Sequence, residues 1–320
     1  MLDGSSQGVM TGSLRGSIGG MLSSRFKFGA IQWLVLCGVA LVIAIALGTL
    51  YFAMEFRQRA LEVAEREQNN TALLLSRHFD QQLRDLQHVH NEVIAYMQAT
   101  AGETALDFER SMSTLAAHEM LSAKLEALPK PGGMHLYNAA GKLINATEAW
   151  PVPDVSIADR KYFKDFTSGQ PTPDVIVEPV TSKVTGLWTT VFARKIVNRK
   201  GEIVGFASRA LRPSHFEDFV ASLALGSNTS ISVIHRDGTI IARYPQNDKY
   251  VGRNVSGMRQ FQIAMEHQGN ISGRFKGSLG SDQIGSVKPL AHFPIVIVAA
   301  TDTEAALADW RAQTDRKSVV

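Results

Sequence analysis

Three regimes of hydrophobic and polar patterning follow one another along the chain. From Phe28 to Met54 there are 27 residues without a charged side chain. About 20 apolar residues in a helix span a bilayer, so this stretch is long enough to cross one with some tilt. It also exceeds the roughly 7–15 apolar residues of a cleaved signal peptide. The pattern predicts a short tail over 1–27 and a transmembrane helix over 28–54. Arg15, Arg25 and Lys27 precede that helix and Arg57, Arg59 and Arg66 follow it, so the positive-inside count is a tie. The short Gly/Ser-rich tail suits the cytoplasmic side, which would put everything after Met54 outside the cytoplasm.

The second regime is helical. No Pro or Gly occurs from Glu55 to Thr100, and apolar residues recur at Ala72, Leu75, Phe79, Leu83, Leu86, Val93 and Met97, with His90 interrupting. Spacings of three and four make a seam of coiled-coil type, continuing the apolar helix without a breaker. Such a seam packs either on its own domain or on a second copy, as a homodimer; the spacing leaves both open. A turn at Gly102 and a further helix over 104–128, stopped by Pro129, follow.

The third regime is strands. Asn138 to Ile144, Asn198 to Val204 and His235 to Ile241 share one layout: a polar turn ending in Gly141, Gly201 or Gly238 between apolar runs. Glycine supplies the positive φ such hairpin turns require. After the first and third hairpins comes a loop, then a short polar helix (Asp159 to Thr167; Gly257 to His267), then more strands. Ser214 to Ser222 reads as a linking helix, and Ile295 to Ala300 as a fully buried strand. Two α+β lobes on one long helix is the economical architecture.

Composition narrows the function classes. At 320 residues the chain has room for about two domains. With 33 basic against 30 acidic residues, the net charge of +3 gives no field to attract nucleic acid. The single cysteine, Cys37, excludes an internal disulfide and thiolate metal clusters. No phosphate-binding glycine loop, His-Glu-x-x-His or Gly-x-Ser-x-Gly motif occurs, and His88 and His90, two apart on a helix, do not share a face. No enzyme and no cofactor are expected.

Taken as an ordered set, the long helix, the repeated lobe, VSIADRKYFKDF, NRKGEIVGFASRAL and SISVIHRDGTIIARYP resemble the double Cache sensor domain. These PAS-like tandems form the extracytoplasmic part of bacterial histidine kinases, chemoreceptors and diguanylate cyclases. The resemblance covers residues 55–312. It implies a distal lobe at about 101–213, a proximal lobe at about 226–303, a tail at 313–320, and a five-stranded antiparallel sheet in each lobe. It further implies a single-pass protein of the bacterial inner membrane with a small-molecule pocket in the distal lobe. The 320 residues carry no output domain, so the chain is expected to act through another protein or to be the sensor of a shortened gene. The rival reading is a membrane-tethered assembly module that binds no small molecule.

The resemblance also nominates site residues. Arg160, Tyr162 and Phe163 match the Arg-x-Tyr-Phe run that C4-dicarboxylate sensors of this family place over the distal pocket. An Arg fork matches a carboxylate and a Tyr hydroxyl adds a directed donor. The alternative is that Arg160 pairs with Asp159 or Asp165 on a solvated helix face while Tyr162 and Phe163 are core. Trp188 and Thr190, two apart on a strand, share a face and are nominated as lining of the same pocket, the alternative being that Trp188 is simply core. Arg194 is on that face too, but about 20 Å further along at ~3.3 Å per residue, too far for one small ligand to touch both it and Trp188. Arg209 interrupts an apolar strand and either completes an anion site or points to solvent. Amino-acid-binding relatives place an Asp near the end of that strand. Ser208-Arg209-Ala210 stand here instead, which leans toward a carboxylate-bearing organic anion.

Overall fold

The computed structural model describes residues 30–308, apart from 101, 127–132, 224, 226–227, 248 and 278–279. The expected tails at 1–27 and 313–320 and the helix end at 127–129 lie outside the described residues. The chain divides between Phe56 and Arg57 into two compact units. In the first, residues 30–56 belong to helix α1 (Ala30–Thr100). Its most apolar 18-residue window has a mean hydropathy of 2.6 and no buried side chains, the one helix among the described residues able by length and composition to cross a membrane.

The second unit holds the rest of α1 and two lobes. The seam is spent inside this unit. Ala72, Leu75, Phe79 and Leu83 are buried in one core with strands of both lobes, and Val93 and Met97 in a second core belonging to the first lobe. Of the two partners left open by the spacing, the observed one is therefore its own domain. Each buried large side chain stabilises the docked helix by roughly 1.5–3 kcal/mol. Asp80, buried on the same helix, accepts hydrogen bonds from the His292 backbone N–H (2.9 Å) and lies 2.7 Å from His292 Nδ1, fixing α1 to a loop of the second lobe.

The further helix predicted over 104–128 is two helices, α2 (Ala105–Met112) and α3 (Leu115–Glu126). Thr104 Oγ1 accepts from the Asp107 N–H at 3.1 Å and caps α2, while Thr114 Oγ1 accepts from the Ala117 N–H at 3.2 Å and caps α3. A second capping threonine inside an apolar-periodic stretch restarts the helix. Asn145, fully buried, donates to the Met112 carbonyl at 2.7 Å and satisfies an orphan carbonyl at the buried C-terminal end of α2.

The first lobe has β1 (Met134–Asn138), β2 (Leu143–Ala146), α4 (Lys161–Thr167), β3 (Ile176–Thr181), β4 (Trp188–Val197) and β5 (Ile203–Leu211); α5 (Ser214–Ser222) leads into the second lobe. That lobe has β6 (Thr229–His235), β7 (Ile240–Tyr244), α6 (Arg259–Glu266), β8 (Ile271–Lys276), β9 (Asp282–Pro289) and β10 (Ile295–Asp302). The sheet orders are β2-β1-β5-β4-β3 and β7-β6-β10-β9-β8, so every strand of one has its counterpart five strands later. All the pairings are antiparallel. The repeat extends to the turns: Gly141 and Gly238 have φ of +80° and +95°, and each carbonyl accepts from a later strand-like residue, Ile157 and Val255. One face of each sheet meets α1 and the other meets its own short helix, α4 or α6.

Candidate functional site

The face of the first sheet turned toward α4 carries His135 and Tyr137 from β1, Thr189 and Val191 from β4, and Ser208 and Ala210 from β5. These line a cavity of about 30 Å³ that Arg160 and Tyr162 close from the α4 side. Such a volume holds about one water molecule. An adjoining cavity of about 250 Å³ shares His135, Ser182, Thr189 and Ala210 with it and adds Glu148, Trp188, Arg212 and Asp218. The segment 182–187, between β3 and β4, walls both.

Helix α4 positions the Arg-x-Tyr-Phe run. Its N-cap is Arg160, which offers no side-chain acceptor to the first turn. Glu178 on β3 supplies one instead, accepting from the Tyr162 N–H at 3.0 Å. A carboxylate at this end of a helix satisfies an orphan donor, although burial still raises the Glu178 pKa above the ordinary range. The Arg160 guanidinium reaches across to donate to the Thr181 carbonyl at 2.5 Å. The acids beside it have other partners. Asp159 lies 2.5 Å from Lys183 and Asp165 lies 2.5 Å from Lys161.

The two phenols stay protonated donors. Burial raises the pKa of both Tyr137 and Tyr162, and Tyr137 shares a hydrogen bond with Ser208. The wall of the smaller cavity thus presents Arg160, Lys183, two phenols, His135 and Ser208, with no carboxylate among the lining residues. The larger cavity differs. His135 Nε2 stands 3.6 Å from Glu148 Oε2, and this neighbour holds the Glu148 carboxyl below its ordinary pKa.

Three of the five nominated residues come together here: Arg160 and Tyr162 at the smaller cavity and Trp188 at the larger. Trp188 also packs on the second lobe, its indole against Gly252 so closely that a Cβ there would fall 2.1 Å from the ring. Thr190 and Arg209 are placed elsewhere. Thr189 and Ser208, their neighbours, occupy the cavity face, so alternation turns Thr190 and Arg209 to the α1 side. Thr190 is buried there beside the register that pairs it with Leu211. Trp188 and Thr190 do not share the cavity because Trp188 opens the strand at its rim.

Arg209 neither reaches the cavity nor points to solvent. It is 1% exposed, between Phe192 and Met134 of the flanking strands, and its Nε and Nη1 have no hydrogen-bond partner. Burial lowers its pKa to about 10. It lies near enough to buried His90 to help push that imidazole down to about 3, where burial is the larger cause and Arg194 adds a third. His135 and Tyr137 are not among the residues nominated from the sequence, although alternation in β1 sets them opposite the core residues Met134 and Leu136; Ser208, on β5, enters the sequence reading only as the neighbour of Arg209.

A sequence comparison with curated proteins gives no match. Solved structures do resemble the chain. The extracellular domain of a protein assigned as a histidine kinase, rpHK1S-Z16, aligns with a TM-score of 0.66 at 22% identity over 78% of this chain and 99% of that one. The periplasmic sensory domain of the Campylobacter jejuni chemoreceptor Tlp1 gives 0.61 at 11% identity, covering 78% and 98%. The ligand-binding domain of the Pseudomonas fluorescens chemoreceptor CtaA, in complex with L-isoleucine, gives 0.54 at 13% identity, covering 79% and 98%. These likenesses establish the fold. The Cache domain family model matches residues 54–310, four-fifths of the sequence and both lobes. The chain belongs to the Cache domain family, as a double Cache sensor.

Proposed function

We propose that this protein is a single-pass sensor of the bacterial inner membrane that takes a small organic carboxylate in its first lobe, outside the cytoplasm. The observation that carries the reading is the wall of the smaller cavity, where Arg160, Lys183, Tyr137 and Tyr162 converge with no acid among the lining residues. Lys183 is already paired with Asp159, but the Arg160 guanidinium and two phenol donors facing a wall without a carboxylate match an anion. Binding requires the 182–187 segment to yield, since about 30 Å³ is room for about one water molecule and does not admit a carboxylic acid of several carbons. Moving that segment would join the two cavities. The strand-end aspartate that would hold an α-amine in related sensors is replaced by Ser208-Arg209-Ala210.

A second reading rests on Glu148 and Asp218, which line the larger cavity. A zwitterion long enough to span both cavities would set its carboxylate at Arg160 and its amine at Glu148. One solved relative, an amino-acid chemoreceptor domain, is in complex with GABA. A thermal-shift panel on the full chain decides between these readings. Succinate and malate should raise the melting temperature and α-amino acids should not. A ligand at 100 times its Kd stabilises by about 2.7 kcal/mol, which such a scan resolves. A shift by GABA alone would favour the zwitterion, and no shift by any acid or amino acid would favour an assembly module.

A further inference from the structure

We propose that the second lobe holds a ligand site of its own, for a carboxylate carrying an apolar tail. Between α6 and the outer face of the second sheet lies a cavity of about 440 Å³, larger than either cavity of the first lobe. It occupies the place that α4 and the first sheet frame in the other lobe, and its volume is that of an ordinary small-molecule pocket. A glycine helps create it, because Gly273 of β8 lines the space and brings no side chain into it. A Cβ on Gly273 would meet nothing within 4 Å.

The lining is mostly apolar, with Ile234, Phe261, Val287 and Val298 among its walls. Four basic residues border it, but strand alternation sorts them. Ser272 reaches Glu65 of α1 at 3.0 Å, so Ser272, Arg274 and Lys276 project to the α1 face and contribute only backbone here. Arg259 is exposed at the start of α6 and stands at the rim. Arg243 is inside. It pairs in register with Ser232, donates from Nη1 to Ser232 Oγ at 3.2 Å, and lies 4.7 Å from the Tyr250 ring centroid. No Asp or Glu lines the cavity.

One held guanidinium beside a hydroxyl, at the end of an apolar chamber, recognises a carboxylate with a hydrocarbon or phenyl tail. A hydrophilic dicarboxylate would leave its second charge against valine and phenylalanine. The site is separate from the first-lobe cavity and does not rest on the reading given for it.

Isothermal titration of the full chain in lipid nanodiscs with octanoate, and in parallel with 3-phenylpropionate, tests this. At least one should bind saturably, and Arg243→Met should weaken it tenfold or more through loss of the charge-assisted contact. Ser230→Phe, which fills one end of the chamber from the same sheet face, should abolish binding and keep the proposal testable should Arg243→Met not fold. Absence of saturable binding by both probes would overturn the proposal. So would binding unchanged in both variants, or binding lost in Arg160→Ala and kept in Arg243→Met, which would put the ligand in the first lobe.

Discussion

Replacing Arg209 by methionine should stabilise the protein. The guanidinium is 1% exposed and two of its nitrogens have no partner. Burial brings its pKa to about 10 from an ordinary 12.5. At about 1.4 kcal/mol per pH unit, holding the charge there costs roughly 3 kcal/mol. Methionine keeps an unbranched stem between Phe192 and Met134 and adds no polar group, so most packing survives. A net gain of about 1–3 kcal/mol is expected, or several degrees in Tm for a unit of this size. The substitution also removes a neighbouring positive charge from His90, whose pKa is about 3. His90 is neutral in the folded state and has an ordinary pKa of 6.5 when unfolded. The unfolded chain therefore binds the extra proton below pH 6.5, and His90 makes wild-type stability fall as pH drops from 6.5 toward 3. In Arg209→Met the imidazole protonates at higher pH, so that loss should level off earlier. Thermal melts of the full chain in detergent between pH 4 and 8 measure both effects. A Tm lowered by several degrees at pH 7 would refute the reasoning, because it would mean the guanidinium is well satisfied where it lies.

Three other outcomes are expected. Asn145→Ala should cost about 1–3 kcal/mol by leaving the Met112 carbonyl unsatisfied in the core, read as a lowered denaturation midpoint. Gly252→Val should displace the Trp188 indole, since even a Cβ falls 2.1 Å from it, and should red-shift the tryptophan emission and lower Tm; an unchanged spectrum and melt would contradict the contact. His90→Leu should flatten the stability profile between pH 6.5 and 4, because the group responsible for that slope is gone.

The architecture was legible wherever a pattern had a single physical cause. Gly141, Gly201 and Gly238 sit at positive φ as the hairpin layout requires, and the return of the same layout and sequel at Gly141 and Gly238 pointed to two like lobes. The seam from Ala72 to Met97 named the buried face of α1 but not its partner, because spacing records that a face is buried and not what buries it. The break at Thr114 was written as a capping threonine and was masked by apolar residues on both sides. The site was harder to read. In β4 every residue from Thr189 to Ala193 is buried, so hydrophobicity shows no alternation and the phase of the strand is invisible. That is why Thr190 was named where Thr189 lines the cavity. Arg209 misled for a different reason. A lone cation on an apolar strand suggests a ligand or solvent, and a buried guanidinium facing a helix is the rarer arrangement.

The central claim is that Arg160 holds the carboxylate of a first-lobe ligand, and one titration tests it most directly. Succinate should bind the full chain, and Arg160→Ala should weaken it at least tenfold, the loss of a charge-assisted hydrogen bond worth about 1.5–3 kcal/mol. Arg160→Lys should fail nearly as badly, since an ammonium lacks the planar fork. Both variants should melt close to wild type, because the guanidinium's bond to the Thr181 carbonyl is at an exposed site. Unchanged succinate affinity in a folded Arg160→Ala protein would contradict the account.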